Sequence, residues 1–360
     1  MSLYRLAWPL IERLEPENAH RLAIKVLASG FGGRQKTPDD PALAVEVFGR
    51  RFPNPVGLAA GFDKDAECPD ACLRLGFAFT EVGAVTPRPQ AGNAKPRLFR
   101  LPENMAVINR MGFNNQGLEA MTARLGARRG PSNPNPGPVG VNLGVNRDSE
   151  DAPADYAAGA RALAPLADFL TVNVSSPNTA GLRALQSRAN LTTILAATRE
   201  ARDAACAEAG CPTPPLLLKI APDLTEEDLA DIVATALEDG GPDGLIISNT
   251  TIARPPQLNG PHRAEPGGLS GRPLFEASTA LLSEVYRRTG GKLPLIGVGG
   301  IEDGATAYAK ILAGASLIQL YTALVFKGPE LLPALKHDLA ERLKADGFET
   351  LQDAIGAGAD

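Results

Sequence analysis

The sequence predicts an α/β fold, a (β/α)8 TIM barrel with an N-terminal two-helix extension. Three observations predict it. From Pro53 onward, short apolar segments alternate with helix-like segments, eight of each. The apolar segments run out into Gly, Asn, Ser, Thr or Lys, polar chemistry where a buried strand meets a loop. The first thirty residues instead repeat apolar side chains at helical spacing. An open doubly wound sheet is the alternative. It calls for a dinucleotide fingerprint after the first strand, and Gly57-Leu-Ala-Ala-Gly61 is not G-x-G-x-x-G.

In chain order, Leu3, Leu6, Leu10 and Leu14 form a one-sided stripe that Trp8 and Ile11 widen. Pro16 suits the first turn of a second helix, where its missing N–H costs nothing. Ala19, Leu22, Ala23, Val26 and Leu27 continue the 3-4 spacing, and Arg5, Arg13, Arg21 and Lys25 add positive charge. Two readings stay open: a hairpin packed on its own domain, or a surface hairpin that lies on a membrane or takes in an apolar ligand. Gly30 to Pro41 reads as a linker and Ala42 to Arg51 as a small hairpin, which divides the chain into an extension, residues 1–40, and a barrel, residues 41–360. The expected barrel strands are 56–60, 79–85, 139–143, 169–174, 216–220, 244–248, 295–298 and 317–320. The expected helices are 69–75, 115–125, 154–166, 191–209, 226–238, 275–288, 305–312 and 330–344. Thr225 followed by Glu226, Glu227 and Asp228 is a helix start.

Composition narrows the function. The chain has 360 residues, room for one large barrel, with 44% hydrophobic and 21% charged residues, so it buries a core. A net charge of −5 argues against a nucleic-acid partner, which wants a basic face. Cys68 and Cys72, and Cys206 and Cys211, lack zinc-site spacing and read as reduced packing residues of a cytosolic protein. With only His20, His262 and His337, no metal site is expected and proton chemistry falls to other residues. No apolar run reaches the roughly 18 residues of a membrane span, and no signal peptide is evident.

The strand ends carry the chemistry. In order they bring Ala59 to Lys64, Gly83 to Pro89, Asn142 with Gly144 and Asn146, Asn173 with Ser175, Ser176 and Asn178, Lys219, Ser248 to Thr251, Gly297 to Gly300, and Tyr321-Thr322. Asn and Lys are costly to bury without partners, so their accumulation points to a polar, planar ligand. Backbone amides at Gly299 and Gly300, near a helix start at Glu302 or Asp303, make an anion site where barrels commonly place phosphate. A phosphorylated, ring-bearing cofactor fits, and flavin mononucleotide (FMN) fits well: phosphate on Gly300 and the strand-eight amides, ring edges on Asn142, Asn173 and Lys219. The cluster Asn109-Arg-Met-Gly-Phe-Asn-Asn115, joined with Asn173, Asn178, Asn249 and Thr250, would surround a small substrate with amides.

Six motifs then carry a resemblance: Ala59-Ala-Gly-Phe-Asp-Lys64, Glu81-Val-Gly-Ala-Val-Thr-Pro-Arg-Pro89, Ile108-Asn-Arg-Met-Gly-Phe-Asn-Asn115, Val172-Asn-Val-Ser-Ser-Pro-Asn-Thr179, Gly268-Leu-Ser-Gly-Arg-Pro273 and Gly297-Val-Gly-Gly-Ile301. Along nearly its whole length the chain resembles the class 2, quinone-dependent dihydroorotate dehydrogenases. The resemblance implies an FMN barrel that oxidises (S)-dihydroorotate to orotate in pyrimidine synthesis. It implies Ser176 as the base at the substrate C5 while hydride leaves C6; class 1 enzymes use a cysteine there, and no cysteine of this chain falls in that motif. It implies Lys64, Asn109, Arg110, Met111, Gly112, Phe113, Asn173, Asn178, Asn249 and Thr250 around orotate. For FMN it implies Ala60, Gly61, Phe62, Asp63, Lys64, Ala84, Asn142, Asn173, Lys219, Ser248, Gly271, Gly300, Tyr321 and Thr322. Ala84 and Ser248 depart from the threonines common in the family. Thr179 is the candidate proton relay, and the stretch from Ser176 to Arg188 a candidate lid with Gly181 as its flexible point. The resemblance also turns the hairpin, residues 1–30, into a quinone tunnel resting on a membrane, with His20 and Arg100 as candidate quinone contacts. It implies a monomer, peripheral on the cytoplasmic side of a bacterial inner membrane; the lack of a transit peptide or anchor helix agrees. A flavin-dependent tRNA dihydrouridine synthase would want a basic face and a mouth cysteine, and neither is found.

Overall fold

Strands made wholly of apolar and small residues are stable only when covered on both faces, as in parallel sheets. The computed structural model, which describes residues 3–129, 137–179 and 181–359, has eight strands closed into a barrel, predominantly apolar but with Glu81, Asn142, Asn173, Lys219 and Gln319 set among the apolar residues. The side chains of Leu3 and Arg5 lie outside the described residues.

The chain begins with α1 (Leu3–Ile11) and α2 (Pro16–Ala28), makes a short hairpin of β1 (Val45–Val47) and β2 (Arg50–Phe52), and enters the barrel at β3 (Val56–Leu58). There follow α3 (Pro69–Arg74), β4 (Phe79–Val85), an excursion of β5 (Leu98–Leu101) and β6 (Ala106–Asn109), then α4 (Gly117–Arg128) and β7 (Val139–Leu143). The middle of the chain is α5 (Ala152–Leu163), β8 (Phe169–Asn173), α6 (Arg188–Ala209), β9 (Leu216–Ile220), α7 (Glu226–Leu237), β10 (Gly244–Ile247) and β11 (Gly268–Gly271). It closes with α8 (Phe275–Thr289), β12 (Leu295–Val298), α9 (Gly304–Leu312), β13 (Leu317–Leu320), α10 (Thr322–Lys327), α11 (Leu331–Ala345) and α12 (Leu351–Ala354). The barrel order is β3-β4-β7-β8-β9-β10-β12-β13, all parallel, with β13 returning to β3. All eight expected strands are present. The capping box expected at Thr225 is there too: its Oγ1 accepts from the Asp228 N–H at 3.1 Å, and the Asp228 carboxylate accepts from the Thr225 N–H at 3.1 Å.

The interior is filled, not hollow. The rings of Phe52, Phe79 and Phe169 stack edge to face at 5.6 and 6.0 Å. Gly57 faces the Phe79 ring so closely that a Cβ there would lie 2.3 Å from it, which is why the strand carries a glycine. Beyond this apolar floor the strand ends turn polar.

Two features were not expected. β5, β6 and β11 form a three-stranded antiparallel sheet, pairing Asn109 with Gly268. It covers its own small core of Phe99, Leu101, Ala106, Ile108, Leu258 and Leu269. β3 also ends at Leu58 rather than Ala60: Ala59 still donates to the Leu320 carbonyl, but Gly61, at φ +100, turns its N–H to the carbonyl of Gly83.

The helical extension is docked by polar anchors. Glu17 of α2 is almost fully buried and paired bidentately with Arg97, at 2.7 and 3.0 Å. Arg97 also donates to the carbonyls of Ala91 and Asn93 and holds the Glu17 carboxyl below its ordinary range. Arg21 pairs with Glu67 at 2.7 Å. Arg100 donates to the carbonyls of Glu12 and Leu14, fixing the turn between the helices. Ile24 and Leu27 face inward, while Leu6, Leu10, Leu14, Leu22, Val26 and Phe31 are exposed. One face of the hairpin is therefore packed on the barrel, as the first reading expected, and the other is bare. Among the described residues no helix is long and apolar enough to cross a membrane.

Candidate active site

The strand ends enclose one cavity of about 660 Å³. Of the predicted site residues, Ala60, Gly61, Phe62, Lys64, Ala84, Asn109, Met111, Gly112, Phe113, Asn142, Asn173, Ser176, Asn178, Lys219, Ser248, Asn249, Thr250, Gly271, Gly300, Tyr321 and Thr322 all line it. Two do not. Asp63 is buried with its carboxylate accepting from the N–H groups of Glu67 and Cys68, both at 2.8 Å, so it is spent on the turn into α3. Arg110 pairs with Glu265 at 2.7 Å and lies over the Phe99 ring at 4.5 Å, pinning the excursion. Thr179 also lies off the cavity wall, half-buried.

Three asparagines from β7, β8 and the β10 loop are joined in a ladder. Asn249 Nδ2 donates to Asn173 Oδ1 at 3.2 Å. Asn173 Nδ2 donates to Asn142 Oδ1 at 2.8 Å. Asn142 Nδ2 donates to a carboxyl oxygen of Glu81 at 2.7 Å, and the other oxygen accepts from Gln319 Nε2 at 2.7 Å. Asn173 Oδ1 takes two further donors from Ser175, its N–H at 3.3 Å and its hydroxyl at 3.1 Å. The buried Tyr156 hydroxyl donates to the Asn173 carbonyl, so the end of β8 is held from behind. Glu81, Gln319 and Tyr156 were missed by the sequence reading, which placed Ser175 at the strand end without giving it a role. A charged or amide residue inside an otherwise apolar strand, as in Phe79-Thr-Glu-Val and Leu317-Ile-Gln-Leu, was the available signal. Gln319 lines the cavity, and its Oε1 has no partner among the described residues, an acceptor that a ligand N–H would satisfy.

Lys64 and Lys219 face the same cavity, and among the described residues neither has a hydrogen bond or ion pair from the protein. Burial drives the Lys64 ammonium down to about 8, with the nearby Arg97 charge adding to the effect and Asp65 and Glu17 opposing it. Two cations left without counterions in one buried site are complementary to anionic ligands. Gly299 and Gly300, which line the same cavity, have φ of +106 and +75. A Cβ on Gly300 would sit 2.5 Å from Phe275 Cα, so only glycine lets this turn press against the start of α8. Gly271 packs against Thr322 there, giving a small, side-chain-free cradle suited to an oxyanion.

The Ser176 hydroxyl oxygen accepts from the Asn178 N–H at 3.3 Å, and Asn178 Nδ2 donates to Asn109 Oδ1 at 3.0 Å. The loop is latched from outside by Arg183. Its guanidinium donates to the Ser175 carbonyl at 3.3 Å, to the Thr250 carbonyl at 3.1 Å and to Asp223 at 2.9 Å. Gly181, at φ +75 with open space around it, begins this arm.

The cavity does not stop at the barrel. It continues along Tyr4, Trp8, Ile11, Ala19, His20, Leu22, Ala23, Val26 and Leu27 of the helical extension. His20 packs edge to face on Phe62 at 5.4 Å, and its Nδ1 is 3.3 Å from the Tyr321 hydroxyl. Burial holds its imidazole down to about 4, so it is neutral at physiological pH. A polar chamber and an apolar passage thus meet in one space.

A closed parallel barrel with a polar, lysine-bearing chamber at its mouth fits the class of small-molecule enzymes built on this fold, and comparison with known proteins specifies which. The family model for dihydroorotate dehydrogenase matches residues 42–343, and the chain belongs to that family. A protein named dihydroorotate dehydrogenase (quinone) from Rhodospirillum rubrum is 60% identical over 354 residues, 98% of this chain and 94% of its own length. The mitochondrial dihydroorotate dehydrogenase (quinone) of Oryza sativa subsp. japonica is 51% identical over 98% of this chain and 79% of its own length. The crystal structure of dihydroorotate dehydrogenase from Eimeria tenella in complex with ferulenol superposes with a TM-score of 0.90 at 42% identity, covering 96% of this chain and 98% of that one. Within the family this chain is a quinone-dependent, class 2 dihydroorotate dehydrogenase.

The free Lys64 carries a pH signature. Below about pH 8 it is an ammonium able to pair with an anion, and above that it is neutral. Affinity for orotate is expected to be flat below that point and to weaken about tenfold from pH 7 to pH 9. In Lys64→Met the affinity is expected to be lower and this slope absent; titrations of both proteins across that range check it, and an unchanged slope removes Lys64 from the role.

Proposed function

We propose that this enzyme holds FMN as its resident cofactor, that Ser176 is the base in the oxidation of (S)-dihydroorotate to orotate, and that electrons leave to a membrane quinone through the passage under the helical extension. The observation that carries the reading is the single cavity: amides and two unpartnered lysines at one end, an apolar lining at the other. The Gly300 cradle fits a phosphate, and Lys219, Asn142 and Asn173 fit the polar edge of a flavin ring. When bound, the cofactor supplies the two-electron acceptor for hydride from the substrate C6. Lys64 and the amides of Asn109, Asn173, Asn178 and Asn249 would hold orotate, with Met111, Gly112, Phe113 and Thr250 closing around it.

The residues of the chain then share out the proton step. A serine hydroxyl is a weak base, so it needs both positioning and relief of developing charge. The Asn178 N–H on Ser176 Oγ supports negative charge there, and the Arg183 latch keeps the loop in place. Thr179 on the same loop is the proposed outlet for the proton. The bare leucines of the extension support peripheral binding to the membrane that carries the quinone; the cytoplasmic side and a monomeric enzyme are proposed from the family resemblance alone. His20 and Arg100 on the passage wall are the proposed quinone contacts.

Stopped-flow bleaching of the flavin by dihydroorotate tests the central claim. Wild type should bleach rapidly and Ser176→Ala should lose roughly 100-fold or more, the scale of a general base. No bleaching by wild type overturns the reaction, and normal bleaching by the variant overturns the base. The loop should also respond to ligand: orotate is expected to protect the segment from Ser176 to Arg188 against limited proteolysis, and equal cleavage with and without orotate would count against a lid. Membrane contact is tested by Leu6→Glu/Leu10→Glu, at sites 60% and 69% exposed. Partition into lipid vesicles is expected to fall at least about tenfold while flavin bleaching is unchanged; unaltered partition would place the membrane contact elsewhere.

A further inference from the structure

We infer that Glu81 is a positioning residue that sets the donor–acceptor polarity of the Asn142–Asn173–Asn249 ladder, and so decides which edge each amide turns to the substrate chamber; the inference rests on the orotate site proposed above. A side-chain amide has one donor end and one acceptor end. In a row of amides each must present the end its neighbour lacks, so the row has two possible directions. Side-chain amides alone cannot choose between them, and the Ser175 and Thr250 N–H groups that bias the Asn173–Asn249 end do not reach Asn142. A carboxylate can, because it offers only acceptors. Glu81 is fully buried in β4, does not line the cavity, and has no Lys or Arg within ion-pair distance among the described residues. Its two oxygens accept from Gln319 and Asn142.

The consequences run in one direction. With Asn142 Nδ2 committed to Glu81, Asn142 Oδ1 must face Asn173 and accept its Nδ2. Asn173 Oδ1 is then turned toward Ser175 and Asn249, where it gathers three donors. Asn249 Nδ2 is spent on that oxygen and on Ser175 Oγ, which leaves Asn249 Oδ1 to order the Thr250 N–H at 2.8 Å. Ser175 precedes the proposed base, and Asn173, Asn249 and Thr250 belong to the proposed orotate site. A glutamine at position 81 would be close in size and would avoid burying a charge, yet it could offer a donor to Asn142 and turn that amide against Asn173, whose oxygen is held by the Ser175 N–H. Retention of an acid at so unfavourable a position is accounted for by its lack of any donor end.

The test exchanges the acid and the amide. In Glu81→Gln the Asn142 end of the ladder is free to turn, against the backbone donors of Ser175 and Thr250 at the other end. In the double variant Glu81→Gln/Asn142→Asp, the introduced glutamine donates to the introduced aspartate. That aspartate in turn accepts from Asn173, and the original direction of Asn173 and Asn249 is restored. Orotate affinity of the purified holoenzymes is measured by calorimetry, beside flavin content. Glu81→Gln is expected to weaken orotate binding about 10- to 100-fold, the cost of mismatched buried polar groups. The exchange is expected to recover binding to well above the level of Glu81→Gln, and Asn142→Asp alone, which sets two carboxyls face to face, to bind more weakly than the exchange. A role in packing or net charge alone predicts no such rescue. Orotate binding by Glu81→Gln within about threefold of wild type overturns the inference. So does an exchange variant no better than Glu81→Gln, or one that fails to fold; if Glu81→Gln itself fails to fold, recovery of folded, orotate-binding protein by the exchange supports it. Failure of the wild type to bind orotate would instead sink the proposed function.

Discussion

Everything at the mouth of this barrel depends on one constraint: buried polar groups must find partners. The barrel supplies a floor of phenylalanine and strands with no exposed face, an environment in which an unpaired amide costs about 1–3 kcal/mol. Asn142, Asn173 and Asn249 meet that demand by pairing with one another and with Glu81. Their satisfaction makes them rigid, and rigidity is what a site for a planar ligand needs. The groups left unpaired in the chamber, Lys64, Lys219 and Gln319 Oε1, are those a ligand would complete. The folded chain is thus already shaped around charge and hydrogen-bond patterns it does not itself contain.

The same demand ties the helical extension to the substrate end. Arg97 pairs with Glu17 of α2 and donates to the Asn93 carbonyl; Asn93 Nδ2 donates to the carbonyls of Arg110 and Asn178. A continuous set of hydrogen bonds therefore joins the wall of the apolar passage to the loop bearing Ser176. Breaking a buried pair such as Glu17–Arg97 by removing one partner costs about 3–5 kcal/mol, because the other charge is stranded. Glu17 has its carboxyl lowered by Arg97, so the pair contributes fully above the ordinary carboxylate range and loses its contribution as pH falls through the lowered value. The hairpin is anchored to the barrel at working pH, whatever its outer leucines touch.

What the sequence made legible follows from locality. Barrel strands were readable because two-sided burial produces largely apolar runs, and the strand-end asparagines and lysines were readable because such residues are rarely buried without cause. The β5-β6-β11 sheet was not readable: it pairs Asn109 with Gly268, and neither Leu98–Leu101 nor Gly268–Gly271 announces its partner. Asp63 and Arg110 were grouped with the site through their motifs, but a motif does not say where a side chain points. Asp63 turned to the amides of Glu67 and Cys68, and Arg110 to Glu265. Glu81 opens one of the six motifs without reading as a site residue, since its influence passes through Asn142 and never reaches the cavity wall.

Two ion pairs in this structure look alike in distance and differ in consequence. Glu17–Arg97 and Asp223–Arg183 are 2.7 and 2.9 Å long. The first is 8% and 6% exposed, the second 21% and 22%. A desolvated pair is a permanent anchor, while a pair that water can reach contributes about 0–1 kcal/mol and is broken and remade readily. Arg183 adds two backbone carbonyls, those of Ser175 and Thr250, to its hold on the loop. Its hold is thus distributed over several partly exposed contacts on the loop that carries Ser176. The desolvated pair fixes the helical extension to the barrel, and the more exposed one holds the loop beside the chamber.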